Sequence, residues 1–488
     1  MKNIIKSKAK TVLSLVIAAL TILPLVCCAG KVQPPAGESA QPAASQKPTD
    51  TVTARPAGNE TPGPEEPSVL PYRMHEPPLT YEEVYDPYTD FDSLRGRTFS
   101  MRLMDTEDAY IFSTGLYLYY YDKVTGDSDV LCPKPECRHD YIRQNKECAG
   151  FMNAENCYAF CSYMGQIYYI RYYGGANQLC RMNYDTSGRE ILFTLEFGDD
   201  PDQIYRYCPE YMAIHRGKLY GWSNQNIVNV GEPKFMWSIV CWDLETGEFS
   251  VVFEAEDDAG YPCPFFFGDY VYFTNVKWEY DKKEDGSGLN YTDETVQVWR
   301  YDINAGTVEK IFYQSLGTAD YGIQQRTFYV AAEDKVYIGG MNDENGTVAV
   351  YNLAGGELEE VVSVEADGWI MLFPENFVTC CRNYYKVRED PDCPYDIGVW
   401  DYEGNALFSG EVPLDIVFDV DEKIDHSDVS FSMPIWDEGG FFIPYLARLD
   451  VQPKDYETEP DEVMVLVRYE VADGELQEKL ILVNRWPS

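Results

Sequence analysis

The residues most able to do chemistry lie in one stretch. Leu131-Cys132-Pro133-Lys134-Pro135-Glu136-Cys137-Arg138-His139-Asp140 is followed by Cys148, Cys157 and Cys161. The spacing is C-x4-C-x-H-x8-C. Three thiols and one imidazole make a tetrahedral zinc donor set, although this spacing matches no common zinc module. Cysteines of exported chains more commonly oxidise to disulfides, and that is the first expectation for this group. Free thiols, and a metal held by Cys132, Cys137, His139 and Cys148, are the alternatives. Connectivity is not readable, since four cysteines already permit three pairings. A Cys137–His139 nucleophile pair has no orienting third group or oxyanion hole nearby. Cys180, Cys241, Cys380 and Cys381 fall in strand patterns and read as packing residues.

Little else in the chain invites catalysis. Only 4 histidines are present, which argues against multi-histidine metal chemistry. There is no G-x-S-x-G, no phosphate-binding G-x-x-x-x-G-K and no H-E-x-x-H. The acidic run from Asp419 to Asp428 lacks the glycine and third oxygen ligand of a calcium loop. With 81 Asp and Glu, a carboxylate pair at glycosidase distance would arise by chance. No catalytic residue is assigned, and zinc at the Cys132–Cys148 group is the one cofactor the sequence admits. Lys plus Arg number 39, giving a formal net charge of -42. Nucleic acid wants a basic face and is excluded as a partner. Anionic lipid surfaces are disfavoured for the same reason.

The first 28 residues read as an address. Lys2, Lys6, Lys8 and Lys10 precede an apolar run, Val12–Val26, too short for a comfortable membrane span. It ends in Leu25-Val26-Cys27-Cys28-Ala29-Gly30, a lipobox pattern with Cys28 as the lipidated residue and Cys27 as second choice. Residues 29–70 hold eight prolines and no aromatic residue. Such a segment buries too little apolar area to offset its ordering entropy and predicts an extended tether. Residues 71–97 read as an irregular lead-in. The expectation is an exported protein, lipid-anchored to the outer face of a bacterial cell membrane.

The elements that must position everything after residue 98 come from a repeat. Strand-forming residues, an aromatic, an acidic or amide residue and then a glycine recur seven times. The copies are Tyr121-Asp122…Gly126, Tyr184-Asp185…Gly188, Trp242-Asp243…Gly247, Tyr301-Asp302…Gly306, Tyr351-Asn352…Gly356, Trp400-Asp401…Gly404 and Tyr469-Glu470…Gly474. The side chain can bond the turn's amides, and glycine supplies the positive φ that closes it. Spacings of about 50 to 70 residues mark repeated supersecondary units. Each unit reads as four short strands. The sequence therefore predicts an all-β, seven-bladed β-propeller of four-stranded antiparallel blades over 98–488. Six or eight blades, or two stacked sandwiches, are the alternatives. Unit 7 can supply all its strands from Ser430–Val483, so the ring would close by side-chain packing. A strand from Leu79–Tyr88 could still clip onto an edge.

In such a meander the first-to-second and third-to-fourth turns share one face, and here they are uniformly short. The other face holds the length variation, including insertions at 224–235, 277–293, 383–395 and 449–461. Function tends to sit on loops carried by a rigid scaffold, so this variable face is the candidate ligand surface. Its aromatics are Trp278, Tyr280, Tyr291, Tyr384, Tyr385 and Tyr456, among many carboxylates. Aromatic faces beside carboxylates suit sugars, cationic groups or peptides. The function expected is non-catalytic binding of an extracellular glycan, peptide or envelope partner. A polysaccharide hydrolase or lyase, and a structural accessory subunit of an envelope complex, are the alternatives.

The lipobox, the Pro/Ala/Ser/Thr tether and a Tyr-Asp blade turn followed by Leu131-Cys132-x-x-Pro135-x-Cys137-x-His139-Asp140 together carry a resemblance. The chain resembles uncharacterised β-propeller surface lipoproteins of Gram-positive anaerobes, of the TolB-like propeller type. The resemblance covers nearly the whole chain and implies the propeller and the lipid anchor. It carries over no catalytic residue.

Overall fold

The computed structural model describes residues 80–95 and most of 102–486. Residues 1–79, 96–101 and several connections, 140–144, 197–208, 316–326, 381–395 and 450–461 among them, fall outside the described residues. Cys28 and the tether lie outside them, as do Tyr384, Tyr385 and Tyr456.

Runs of Tyr, Phe, Val and Ile between tight turns pair with their sequence neighbours, because a short turn brings the next strand alongside at little entropic cost. Seven antiparallel sheets result, over residues 102–130, 157–194, 211–256, 265–315, 327–365, 369–411 and 424–486. Strands follow chain order within each sheet. First strands of blades 1 and 2, 2 and 3, 4 and 5, and 5 and 6 touch one another, which puts them around the axis and the fourth strands at the rim. The fold is a seven-bladed β-propeller, as the repeat predicts. In blade 7 the first-strand position is split: Ile424–Phe431 and Ile435–Asp437 both pair with Gly440–Leu449. Among the described residues, helix is confined to Tyr81–Val84 and Asp415–Phe418. No helix among them is long and apolar enough to cross a membrane.

The repeated turn works as its residues suggest. Oδ1 of Asp122, Asp243 and Asp302 each accepts two backbone N–H groups, two and three residues on, at 2.8–3.0 Å. Gly126, Gly247 and Gly306 then donate back to those aspartates' carbonyls with φ of 79°, 73° and 66°. The donated amides, Thr125 and Thr246 foremost, hold the Asp122 and Asp243 carboxyls below the usual range. Blade 7 departs from the pattern. Ala472 pairs with Glu475, so Asp473-Gly474 is a two-residue turn with φ of 54° and 81°. That is the geometry Asp-Gly favours in hairpins. Glu470 does not make the bend; it bonds Arg468 at 3.1 Å.

A second recurring device is a register slip between third and fourth strands. It falls at Leu179/Cys180, Ile239/Val240, Val298/Trp299, Val350/Tyr351, Val399/Trp400 and Leu466/Val467. Such bulges increase right-handed twist, which lets each rim strand turn away from its inner neighbours.

Apolar residues between blades form a closed succession of packed layers. The layer joining the last blade to the first holds Phe112, Tyr119, Tyr121 and Val130 with Phe442, Leu466, Ile481 and Leu482. Tyr110 meets Phe442 edge-on at 5.1 Å, and the Tyr119 hydroxyl donates to Asn484 Oδ1 at 2.5 Å. Among the described residues no strand of 102–130 pairs with one of 424–486. The ring closes on side chains.

Two expectations are corrected. The stretches at 224–235 and 277–293, read as insertions, are largely strand. Lys218–Asn229 pairs with Glu232–Asp243 out to Asn229↔Glu232, and Tyr270–Lys282 with Leu289–Asp302 out to Lys282↔Leu289. The extended ladder satisfies backbone groups that a loop would leave to water. Of the stretch Leu79–Tyr88, the described residues 80–88 do not clip on as an edge strand; they fold around the four-residue helix Tyr81–Val84.

Candidate functional site

The lead-in defines one face of the ring. Thr80 and Glu83 form a capping box: Glu83 N–H donates to Thr80 Oγ1 at 3.2 Å and Thr80 N–H to Glu83 Oε2 at 2.9 Å. Tyr81 is thereby laid against Phe265 and Phe267 of blade 4. Its hydroxyl accepts from Ser93 N–H at 3.1 Å, and Ser93 Oγ bridges the backbone of Phe266. Phe91 N–H donates to His215 Nδ1 at 3.1 Å, and Nε2 of the same ring donates to the Gly268 carbonyl at 2.7 Å. Both ring nitrogens are thus used, and burial holds the imidazole below the ordinary histidine range.

Charges fasten the same segment. Arg216 pairs with Asp90 at 2.9 Å and with Asp269. Arg95 pairs with Asp92, Asp105 and Asp437 at 2.8–3.1 Å. Burial works against the Arg95 charge, but these three carboxylates outweigh it and raise its pKa. Met164 N–H donates to the Tyr88 carbonyl at 2.9 Å and Arg216 N–H to that of Thr89 at 2.8 Å. Asp105, Met164, Arg216, Gly268, Asp269 and Asp437 all stand at first-to-second-strand turns, in blades 1, 2, 3, 4 and 7. The segment 80–95 therefore lies across the turn-side mouth of the ring and grips five of its seven blades.

The opposite face carries the two extended hairpins of blades 3 and 4. In blade 4 the ladder sets Trp278 opposite Glu294 and Tyr280 opposite Tyr291, with a slip between them. Three of the six aromatics named from sequence thus occupy neighbouring register positions. The acidic run 419–428 is drawn into structure: Asp421 accepts Lys423 N–H at 3.0 Å and pairs with Arg485.

The chemically distinctive group sits on the connection from blade 1 to blade 2. One donor atom from each of Cys132, Cys137, His139 and Cys148 lies within 4.8 Å of the others. The disulfide expectation is not met, because the seven described cysteines, these three among them, are free. The fold brings the cysteines together because the loop turns back twice. Cys137 N–H closes on the Lys134 carbonyl at 3.0 Å and Cys148 N–H on that of Asn145 at 3.0 Å. The loop's end is tied to the blade through Leu118 N–H to the Gly150 carbonyl at 2.9 Å and a bridge between Tyr117 and Phe151. Gly150 is required there, since a Cβ would come within 2.7 Å of Val130 and 2.8 Å of the Leu131 carbonyl.

Polar groups converge on the sulfurs. Burial raises the Cys132 thiol, but the amide of Lys134, the His139 ring and the amide of Ala149 outweigh it and bring its pKa to about 6. Cys148 is pushed up to about 12, chiefly by burial. Asn145 Nδ2 donates to Cys137 Sγ at 3.3 Å. His139 Nδ1 lies 3.0 Å from Asp129 Oδ1, while its Nε2 is buried without a hydrogen-bond partner. The set has the donors for a soft or borderline cation. Sequence spacing named these four residues; it missed Asp129 and Asn145, which reach the group only because the chain folds back on itself over 8 to 10 residues.

No protein-family model matches the sequence, and no curated protein matches it. Solved structures it is similar to include TolB from Acinetobacter baumannii, at 13% identity and a TM-score of 0.30 over 61% of either chain. The oligogalacturonate lyase of Vibrio parahaemolyticus is another, at 13% identity and a TM-score of 0.38, covering 76% of this chain and 93% of that one. The acylaminoacyl peptidase of Pyrococcus horikoshii gives 10% identity and a TM-score of 0.39, with 82% and 53% covered.

Proposed function

We propose that this chain is a lipid-anchored surface protein whose propeller binds an extracellular glycan, peptide or envelope partner, without catalysis, on the face opposite the lead-in. One observation supports the choice of face. Residues 80–95 occupy the turn-side mouth through buried ion pairs and aromatic contacts, so a ligand there would have to displace them. The far face carries the longest hairpins and the aromatics Trp278, Tyr280 and Tyr291. The lipobox at Cys28 and the tether 29–70 support a site held away from a bilayer, and the net charge of -42 favours uncharged or cationic ligands over nucleic acid.

The test is binding of cell-wall fragments, a glycan panel and surface proteins captured by crosslinking. Anchoring aromatics carry about 2 kcal/mol or more each at such sites, a loss of roughly 30-fold. Trp278→Ala with Tyr280→Ala is expected to weaken the ligand by at least that factor while the fold is retained. Unchanged binding by this variant would place the site elsewhere.

A further inference from the structure

We infer that Cys132, Cys137, His139 and Cys148 hold one zinc ion, and that its role is structural: it clamps the blade 1–blade 2 connection against the seam where the ring closes. Tetrahedral zinc with bonds of about 2.3 Å to sulfur and about 2.0 Å to nitrogen sets its donors roughly 3.5–3.8 Å apart. The four donor atoms already stand within 4.8 Å of one another, so only a small contraction is needed. A disulfide would use two sulfurs and leave a thiol and an imidazole in the same space. Thiolates with imidazole select zinc over calcium or magnesium, which take oxygen. Four protein ligands fill the tetrahedron and leave no position for substrate, as in structural sites.

The surroundings fit a bound cation. Asp129, on the short rim strand Ser128–Val130, engages His139 Nδ1. That fixes the tautomer and frees the lone pair of the buried, otherwise unpartnered Nε2. Asn145 Nδ2 donates to Cys137 Sγ, a further polar group turned to the sulfurs. Uptake forms three Zn–S bonds and one Zn–N bond, and the protons of those thiols that carry them pass to solvent.

The location says what the clamp does. Ser128–Val130, three residues long, is the shortest fourth strand of the seven. Cys148 is 3% exposed and packs in the same layer as Phe151, Phe442, Leu466 and Leu482, with Cys132 and Cys137 against it. A metal there fastens both ends of the connection to the layer that joins blade 7 to blade 1, where no strand among the described residues is shared.

The experiment uses the whole chain, made without a metal-binding tag or chelator, and combines metal analysis, thiol titration and cobalt(II) substitution. One zinc per chain is expected, and the cobalt form should show thiolate charge-transfer and intense tetrahedral bands. Asp129→Asn should weaken zinc affinity about 10–100-fold. His139→Ala should cost more, and His139→Cys should keep the metal with a cobalt spectrum shifted toward four thiolates. Removing zinc should speed amide exchange in 102–130 and 440–486 but not in 265–365. These variants lie on the partly exposed side of the cluster, so they remain informative if Cys148→Ser fails to fold. A disulfide within the cluster, three free thiols that ignore added zinc, or zinc retained after all four ligands are replaced would each overturn the site. Unchanged exchange at the seam after zinc removal would overturn the clamp.

Discussion

Asp437→Ala is expected to destabilise the folded chain by about 3 kcal/mol, at the low end of the range for breaking a buried ion pair. Asp437 is 3% exposed. It accepts from Arg468 Nε at 2.7 Å, the Tyr110 hydroxyl at 3.0 Å and Arg95 at 3.1 Å. One carboxylate therefore joins the last blade, the first blade and the lead-in. Its removal leaves two largely buried guanidiniums short of a partner. Asp92 and Asp105 still face Arg95, and Glu470 still faces Arg468, which keeps the cost from the top of the range. Asp437→Asn retains an acceptor and should lose about half as much. Urea midpoints measure both. A loss under about 1 kcal/mol for the alanine variant would mean that the network is solvated.

Phe442→Ala is expected to cost about 3–5 kcal/mol, the largest single-residue effect at the seam. Phe442 is 0% exposed and stands edge-on to Tyr110 at 5.1 Å and Phe112 at 6.5 Å. The void would open between two blades that share no strand pairing among the described residues, so little of it can be recovered by strand adjustment. Leu480→Ala, in the same blade but 37% exposed, should stay within about 0.5 kcal/mol. Equal losses at the two positions in urea unfolding would remove the case for a special layer at the closure.

Why the wheel was legible and much of the site was not follows from range. The Asp122, Asp243 and Asp302 turns are local devices, read from five consecutive residues, and they recur often enough to count blades. Glu470 does not form the bend because Asp473-Gly474, three residues further on, makes a better hairpin turn and wins. The hairpins at 224–235 and 277–293 looked like loops because polar residues such as Asn224, Asp281 and Asp293 mask alternation. Backbone pairing needs no apolar face, and the ladder continues through these polar positions. The lead-in was opaque for another reason. Asp90, Phe91, Ser93 and Arg95 find their partners at positions 215, 216, 266 and 437, and no local pattern encodes such separations. The cysteine group falls between the two cases. Its donors are local and were named, but the choice against disulfides needed the geometry of the folded loop.

The two faces and the mouth exist only if the last blade meets the first. The most direct measurement is a double-mutant cycle across Tyr119 and Asn484, 365 residues apart in sequence and joined at 2.5 Å. Tyr119→Phe and Asn484→Ala would be made singly and together, with unfolding free energies compared. A closed ring predicts a coupling of about 1 kcal/mol, within the range for buried groups that share one hydrogen bond. Strict additivity would contradict the closure, and with it the distinction between the face crossed by residues 80–95 and the face that carries the long hairpins.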